Sequence, residues 1–219
     1  MDGMLLSVRT TLIMAFRTLP IILISFIGFL AVGLGNFALF FLFIGHIVVV
    51  PIATIISQTI FSKINNKAFT VEASNKATFV PGALYSSPFI SVAPSFWMAH
   101  VLFFMSYIIA NAISILRLPA NPKADKILVS SRTSKARTLI ITNVCILIIL
   151  CALKYQTNTE TLPGIGVAVV LGGGLGYLWY LFAAVSGARA ADIFGIAQQI
   201  IPSSANDETP MTCVYAPKP

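Results

Sequence analysis

Hydrophobic residues along this chain fall in long unbroken blocks separated by polar segments, a pattern of buried or lipid-facing helices rather than of alternating strands. The first block covers residues 19–61, 43 positions without a Lys, Arg, Asp or Glu. A membrane-crossing helix takes about 20 residues and a signal-peptide core about 7–15, so this block predicts two helices. Gly33, Gly35 and Asn36 stand where a tight turn divides it. The expected element is a helical hairpin, 19–35 and 37–61, with the second helix bent at Pro51, which has no amide hydrogen to donate.

Residues 62–95 differ in kind. The 62–78 stretch is polar, with Lys63, Lys67, Glu72 and Lys76, and PGALYSSPFISVAPS then places Pro81, Pro88 and Pro94 seven and six residues apart. Such spacing argues against a helix. With Phe79, Tyr85 and Phe89 available to pack, the segment is expected to be an ordered proline-rich loop on the membrane surface or on a partner protein. Residues 96–116 form a third span, opening with Phe96 and Trp97 as an interfacial aromatic anchor. A hydrophilic loop over 117–137 leads to a fourth span over 138–155, whose Lys154 is expected to reach the headgroups. A short turn over 156–163 leads to a fifth span over 164–186. Residues 187–201 make a weakly amphipathic helix, with Ile193, Phe194, Ala197, Ile200 and Ile201 opposite Arg189, Asp192 and Gln199. The expected fold is all-α: a polytopic transmembrane helical bundle of four to five spans. It divides into a hairpin segment 1–61, the loop 62–95, the region 96–201 and a short polar tail 202–219.

Composition sharpens this picture. Of 219 residues, 57% are hydrophobic and 10% charged, against about 25% charged in a soluble domain. A soluble globular enzyme, a disordered tail and a coiled coil are all excluded. The 14 Lys and Arg exceed the 7 Asp and Glu, a formal charge of +7. In a membrane protein such an excess sets topology or attracts anionic lipid, and a nucleic-acid surface is the rarer alternative. With five spans, the amino terminus and the 62–95 loop share one side, and the 117–137 loop and tail share the other. That second loop holds Arg117, Lys123, Lys126, Arg132, Lys135 and Arg137 against Asp125 alone, and the positive-inside rule places it in the cytoplasm.

Candidate chemistry is sparse. Cys145, Cys151 and Cys213 form no CxxC pair and have no histidine at ligand spacing, so neither a disulfide framework nor a metal site is expected. No GxSxG, HExxH or phosphate-loop motif occurs, GGGLG follows no strand, and no cofactor is implied. The span at 164–186 carries Gly164, Ala168, Gly172 and Gly176 at four-residue intervals, a flat stripe that lets another helix approach closely. The partner helix is either internal or a second copy. The second span places His46, Thr54, Ser57 and Gln58 on one face, and the third does so with His100, Tyr107, Asn111 and Ser114. These faces fit either interhelical hydrogen bonds or an ion or proton path through His46, Gln58, His100 and Asn111. The absence of Asp and Glu from every span favours the former.

Four stretches carry a resemblance: PSFWMAH (94–100), GGGLGYLWY (172–180), GARAADIFGI (187–196) and CVYAPKP (213–219). Over residues 94–219 the chain resembles a family of multi-span membrane proteins encoded by nucleocytoplasmic large DNA viruses, algal and giant viruses among them. The resemblance implies a structural component of the lipid membrane beneath an icosahedral capsid, with capsid or other membrane proteins as partners and no catalytic residues. The proline-rich loop would then dock capsid proteins, and the 117–137 loop would face the genome. A small ion or proton channel, and a subunit of an organelle-membrane assembly in host endomembranes, are the competing expectations.

Overall fold

The computed structural model describes residues 2–64, 67–72, 90–118, 126–156, 159–186 and 193. Helix α1 (Asp2–Gly33) and α2 (Phe37–Ile44) form the expected hairpin. Gly35 makes the turn, with φ +58°, a conformation open to glycine and costly for other residues. Asn36 then caps α2, its Oδ1 accepting from the backbone N–H groups of Ala38 at 2.9 Å and Leu39 at 3.2 Å. The helix continues through a wide π-helical turn, Gly45–Val49, into α3 (Val50–Ile64). The bend expected at Pro51 is thus replaced by a π turn directly before it. Pro51 cannot donate and its ring crowds the preceding turn, and the Val50 N–H reaches back five residues to the Gly45 carbonyl.

Strands β1 (Thr70–Glu72) and β2 (Ile90–Val92) pair antiparallel, with Val71 opposite Ser91. They draw together the two ends of the proline-rich segment, whose centre, 73–89, lies outside the described residues. Helix α4 (Phe96–Arg117) follows, capped by the Ser95 hydroxyl, which accepts from the Met98 N–H at 3.2 Å. Helix α5 (Lys126–Gln156) corrects the expectation of a loop over 117–137, because residues 126–137 are its first three turns. Helix α6 (Leu162–Ala168), capped by Thr161, passes through a second π turn, Val169–Gly173, into α7 (Gly174–Ser186). The amphipathic helix expected over 187–201 and the tail 202–219 lie outside the described residues, except that the Ile193 carbonyl accepts from Asn36 Nδ2 at 3.4 Å.

Among the described residues, four helices are long and apolar enough to cross a membrane: Phe37–Lys63, Phe96–Arg117, Val129–Gln156 and Leu162–Ser186, with Thr18–Gly33 as a shorter apolar helix. The protein is an all-α polytopic membrane protein, and the short strand pair β1–β2 lies outside the spans. α4 is the most buried span and α5 the least; Ile141, Val144, Ile148 and Ile149 on α5 are exposed, as lipid-facing residues must be.

α7 lies parallel to α4 in close register. A Cβ at residue 172 would stand 2.7 Å from the Ala99 carbonyl oxygen, and one at residue 176 would collide with the Phe103 carbonyl. One turn on, Tyr107 and Tyr180 meet edge to face, ring centres 5.5 Å apart. α5 runs antiparallel to α4, with Arg132 beside Leu118 at one end and Lys154 over Trp97 at the other. Replacing Gly176 or Gly172 by Leu should force α7 off α4, at about 3 kcal/mol from overpacking. Gly166, whose Cβ would meet open space, serves as the control. Thermal melts in detergent should fall for Gly172→Leu and Gly176→Leu and stay parental for Gly166→Leu; equal melts for all three would reject the contact.

Candidate functional site

The small-residue stripe of the fifth span faces inward, and for Gly172 and Gly176 the partner is α4 of the same chain. Gly164, Ala168, Gly172 and Gly176 are all buried, with Gly164 against Ala93 and Thr161, and Gly172 and Gly176 on the α4 backbone. The Ser106 hydroxyl adds a 2.6 Å hydrogen bond to the Gly173 carbonyl inside the second π turn. Other polar groups also tie one element to another. Trp179 Nε1 donates to the Phe41 carbonyl at 3.0 Å, Gln58 Nε2 to the Pro94 carbonyl at 2.7 Å, and Trp97 Nε1 to the Phe16 carbonyl at 2.8 Å.

The four residues of the possible polar path separate. His46, on the first π turn, meets His100 of α4, their Nδ1 atoms 3.1 Å apart and both side chains fully buried. Phe103 stands edge-on to the His46 ring at 4.9 Å between centres. Gln58 is taken up at the Pro94 end of the bundle, and Asn111 is buried three turns further along α4 than His100. The structure joins the histidines and leaves Gln58 and Asn111 apart from them.

The basic cluster also divides. Arg117, Lys126, Lys135 and Arg137 are exposed, and Lys123 lies outside the described residues. Arg132 is buried, its Nη2 donating to the Leu118 carbonyl at 2.7 Å just past the end of α4. A guanidinium there satisfies a carbonyl the helix leaves unpaired and complements the negative end of the helix dipole. Arg132 therefore belongs to the packing and not to a surface.

Two aromatic and charged residues at the opposite end depart from expectation. Trp97 is not an interfacial anchor but fully buried, and Lys154 does not reach outward. Its Nζ sits 4.3 Å above the Trp97 ring and 5.5 Å from that of Phe16, within cation–π range. Beyond it Glu160 is only 4% exposed. Burial raises its carboxyl above the ordinary value of 4.5, partly opposed by hydrogen bonds from Ser95 and by the Lys154 charge. Glu160 Oε2 has no hydrogen-bond partner. Sequence reading missed this cluster. Its available signal was a Lys and a Glu of opposite charge flanking one short interhelical turn. Among the described residues no group of three or more His, Cys, Asp or Glu is placed to hold a metal. No protein-family model, curated protein or solved structure matches the chain.

Two outcomes follow from these charges. Arg132→Ala should lose about 2 kcal/mol, the scale of a hydrogen bond to a charged group. Lys135→Gln and Arg137→Gln should stay within about 0.5 kcal/mol, as chemical or thermal unfolding in detergent would record; equal effects would remove the cap. For Glu160 the folded-state value lies above the unfolded one. Its contribution to stability is therefore complete below the ordinary glutamate range and lost as pH rises through the raised value. The parent should melt progressively higher than Glu160→Gln as pH falls into the acid range, and parallel pH profiles would show the carboxyl to be solvated.

Proposed function

We propose that this chain is a structural protein of a membrane, and that the membrane is the internal bilayer of a large DNA virus particle, held by this protein beneath the capsid shell. The observation that carries the structural reading is the use of polar side chains in the bundle. Ser106, Trp179, Trp97 and Gln58 each bind the backbone of another segment, so the polarity of the spans holds helices together. In lipid, such bonds and close backbone contact do the work that hydrophobic burial does in water.

The viral part of the reading rests on the resemblance of residues 94–219 stated above, and on a domain in which most of the length is membrane helix. Partners would be capsid or other membrane proteins, with the segment between β1 and β2 as the docking element. The exposed Arg117, Lys126, Lys135 and Arg137 suit anionic headgroups at the end of the bundle from which the Ile193 segment emerges; nucleic acid is the weaker candidate there. Fractionation of purified particles tests this reading. The chain should be recovered at a fixed copy number relative to the capsid proteins and released only when detergent dissolves the internal membrane. Recovery solely in host endomembranes would remove the virion assignment and leave an organelle-membrane assembly subunit.

A further inference from the structure

The histidine pair is unlike the other polar ties, because a hydrogen bond between two imidazoles leaves chemistry in reserve. His46 and His100 are the chain's two histidines, and they meet Nδ1 to Nδ1 at 3.1 Å with no exposure. Two nitrogens share a hydrogen bond only when one carries a proton and the other a lone pair. The neutral pair therefore holds one proton between the rings: the donor ring is protonated at Nδ1 with a bare Nε2, and the acceptor ring is protonated at Nε2. His46 Nε2 has no hydrogen-bond partner in the protein.

Few other groups near the pair can take an added proton. Residues 37–62, 96–116 and 162–186, the apolar stretches of the three helices around the pair, contain no Asp, Glu, Lys or Arg. Tyr107 of α4 and Tyr180 of α7 face each other, and Tyr177 of α7 is exposed. Lys154 of α5 over Trp97, and Glu160 at Ser95, lie about one turn of α4 before His100, the α5 thiols are Cys145 and Cys151, and the charges of α1 lie at or before Arg17. Charge arriving at one imidazole is shared with the other and with the rings of Phe103 and Phe104. The π turn that carries His46 adds a second observation, since single π turns within helices concentrate at functional sites.

We propose that His46 and His100 form a proton-transfer pair linking the α2–α3 helix to α4 inside the bilayer. A proton arriving on the bare Nε2 of the donor ring makes it an imidazolium. Its Nδ1 proton then crosses to the Nδ1 of the partner ring, which becomes the imidazolium. The pair gains one proton, only N–H bonds break and form, and the charge passes from one ring to the other. A second added proton would leave two N–H groups pointing at each other, so the pair takes up one proton and not two. This activity is independent of the structural role.

Because the chain has two histidines, protein labelled with 15N-histidine and reconstituted in bilayers resolves each ring by solid-state NMR. At neutral pH one Nδ1 should be protonated and the other bare, coupled across the hydrogen bond. On acidification both rings should shift together with uptake of one proton per chain. In His46→Phe, labelled in the same way, the remaining ring has no partner to share a proton and should stay neutral over the range in which the parent pair takes one up. Uncoupled rings titrating at separate midpoints in the parent, or a lone His100 in a folded His46→Phe protein that takes up a proton as readily as the pair, would each overturn the proposal. The parental spectra use the unaltered chain, so a variant that fails to fold does not remove the test.

Discussion

The carbonyl of Phe103 occupies the place where residue 176 would carry a Cβ, and in lipid such a contact matters more than it would in water. Helices surrounded by acyl chains gain little from hiding apolar side chains, which are equally well solvated on either face, so association depends on close packing and hydrogen bonds. Once α7 lies on α4 in the register set by residues 172 and 176, Ser106 reaches the Gly173 carbonyl. Trp179 then lies against Phe41, ring centres 4.5 Å apart, and bonds its carbonyl. The Trp179 and Phe103 side chains crowd Gly45, leaving no room for a Cβ there, and this close approach presents the next residue, His46, to His100. The stripe, the aromatic stack and the histidine contact are successive results of one helix–helix seam.

Elements that depend on composition alone could be read from the residues. The hairpin turn at Gly35 and Asn36, the long apolar blocks and the four-residue spacing of Gly164, Ala168, Gly172 and Gly176 need no knowledge of neighbours. What could not be read depends on which surface meets which. Lys154 reads as a residue free to extend into headgroups, but Trp97 and Phe16 offer its ammonium two ring faces. Arg132 reads as one of six similar charges until the end of α4 is placed beside it. The start of α5 is hidden in the sequence because Lys, Arg and Ser within a helix look like a loop when apolar runs are the guide, although Lys and Arg are good helix formers. The π turns leave no compositional trace beyond Pro51.

The two ends of the bundle handle charge in different ways. At one end, Lys126, Lys135 and Arg137 remain exposed around the start of α5 while Arg132 turns inward to the α4 terminus. At the other, Lys154 and Glu160 are withdrawn beneath Trp97 and the α6 cap. The first end can adapt to whatever anionic surface it meets. The second is built into the packing of α1, α4, α5 and α6, and a change of charge there is felt by all four elements.

The burial of Lys154 also bears on the length of α5 that lipid sees. Between Arg137 and Lys154 the helix carries no charged residue, about 24 Å at 1.5 Å per residue, against about 30 Å of hydrocarbon in an ordinary bilayer. A lysine facing lipid at such a boundary has to stretch outward to reach water. Here its ammonium lies over two aromatic rings, so no charge meets the acyl chains at residue 154, and hydrocarbon can continue along the outer face of α5 past the exposed Leu153.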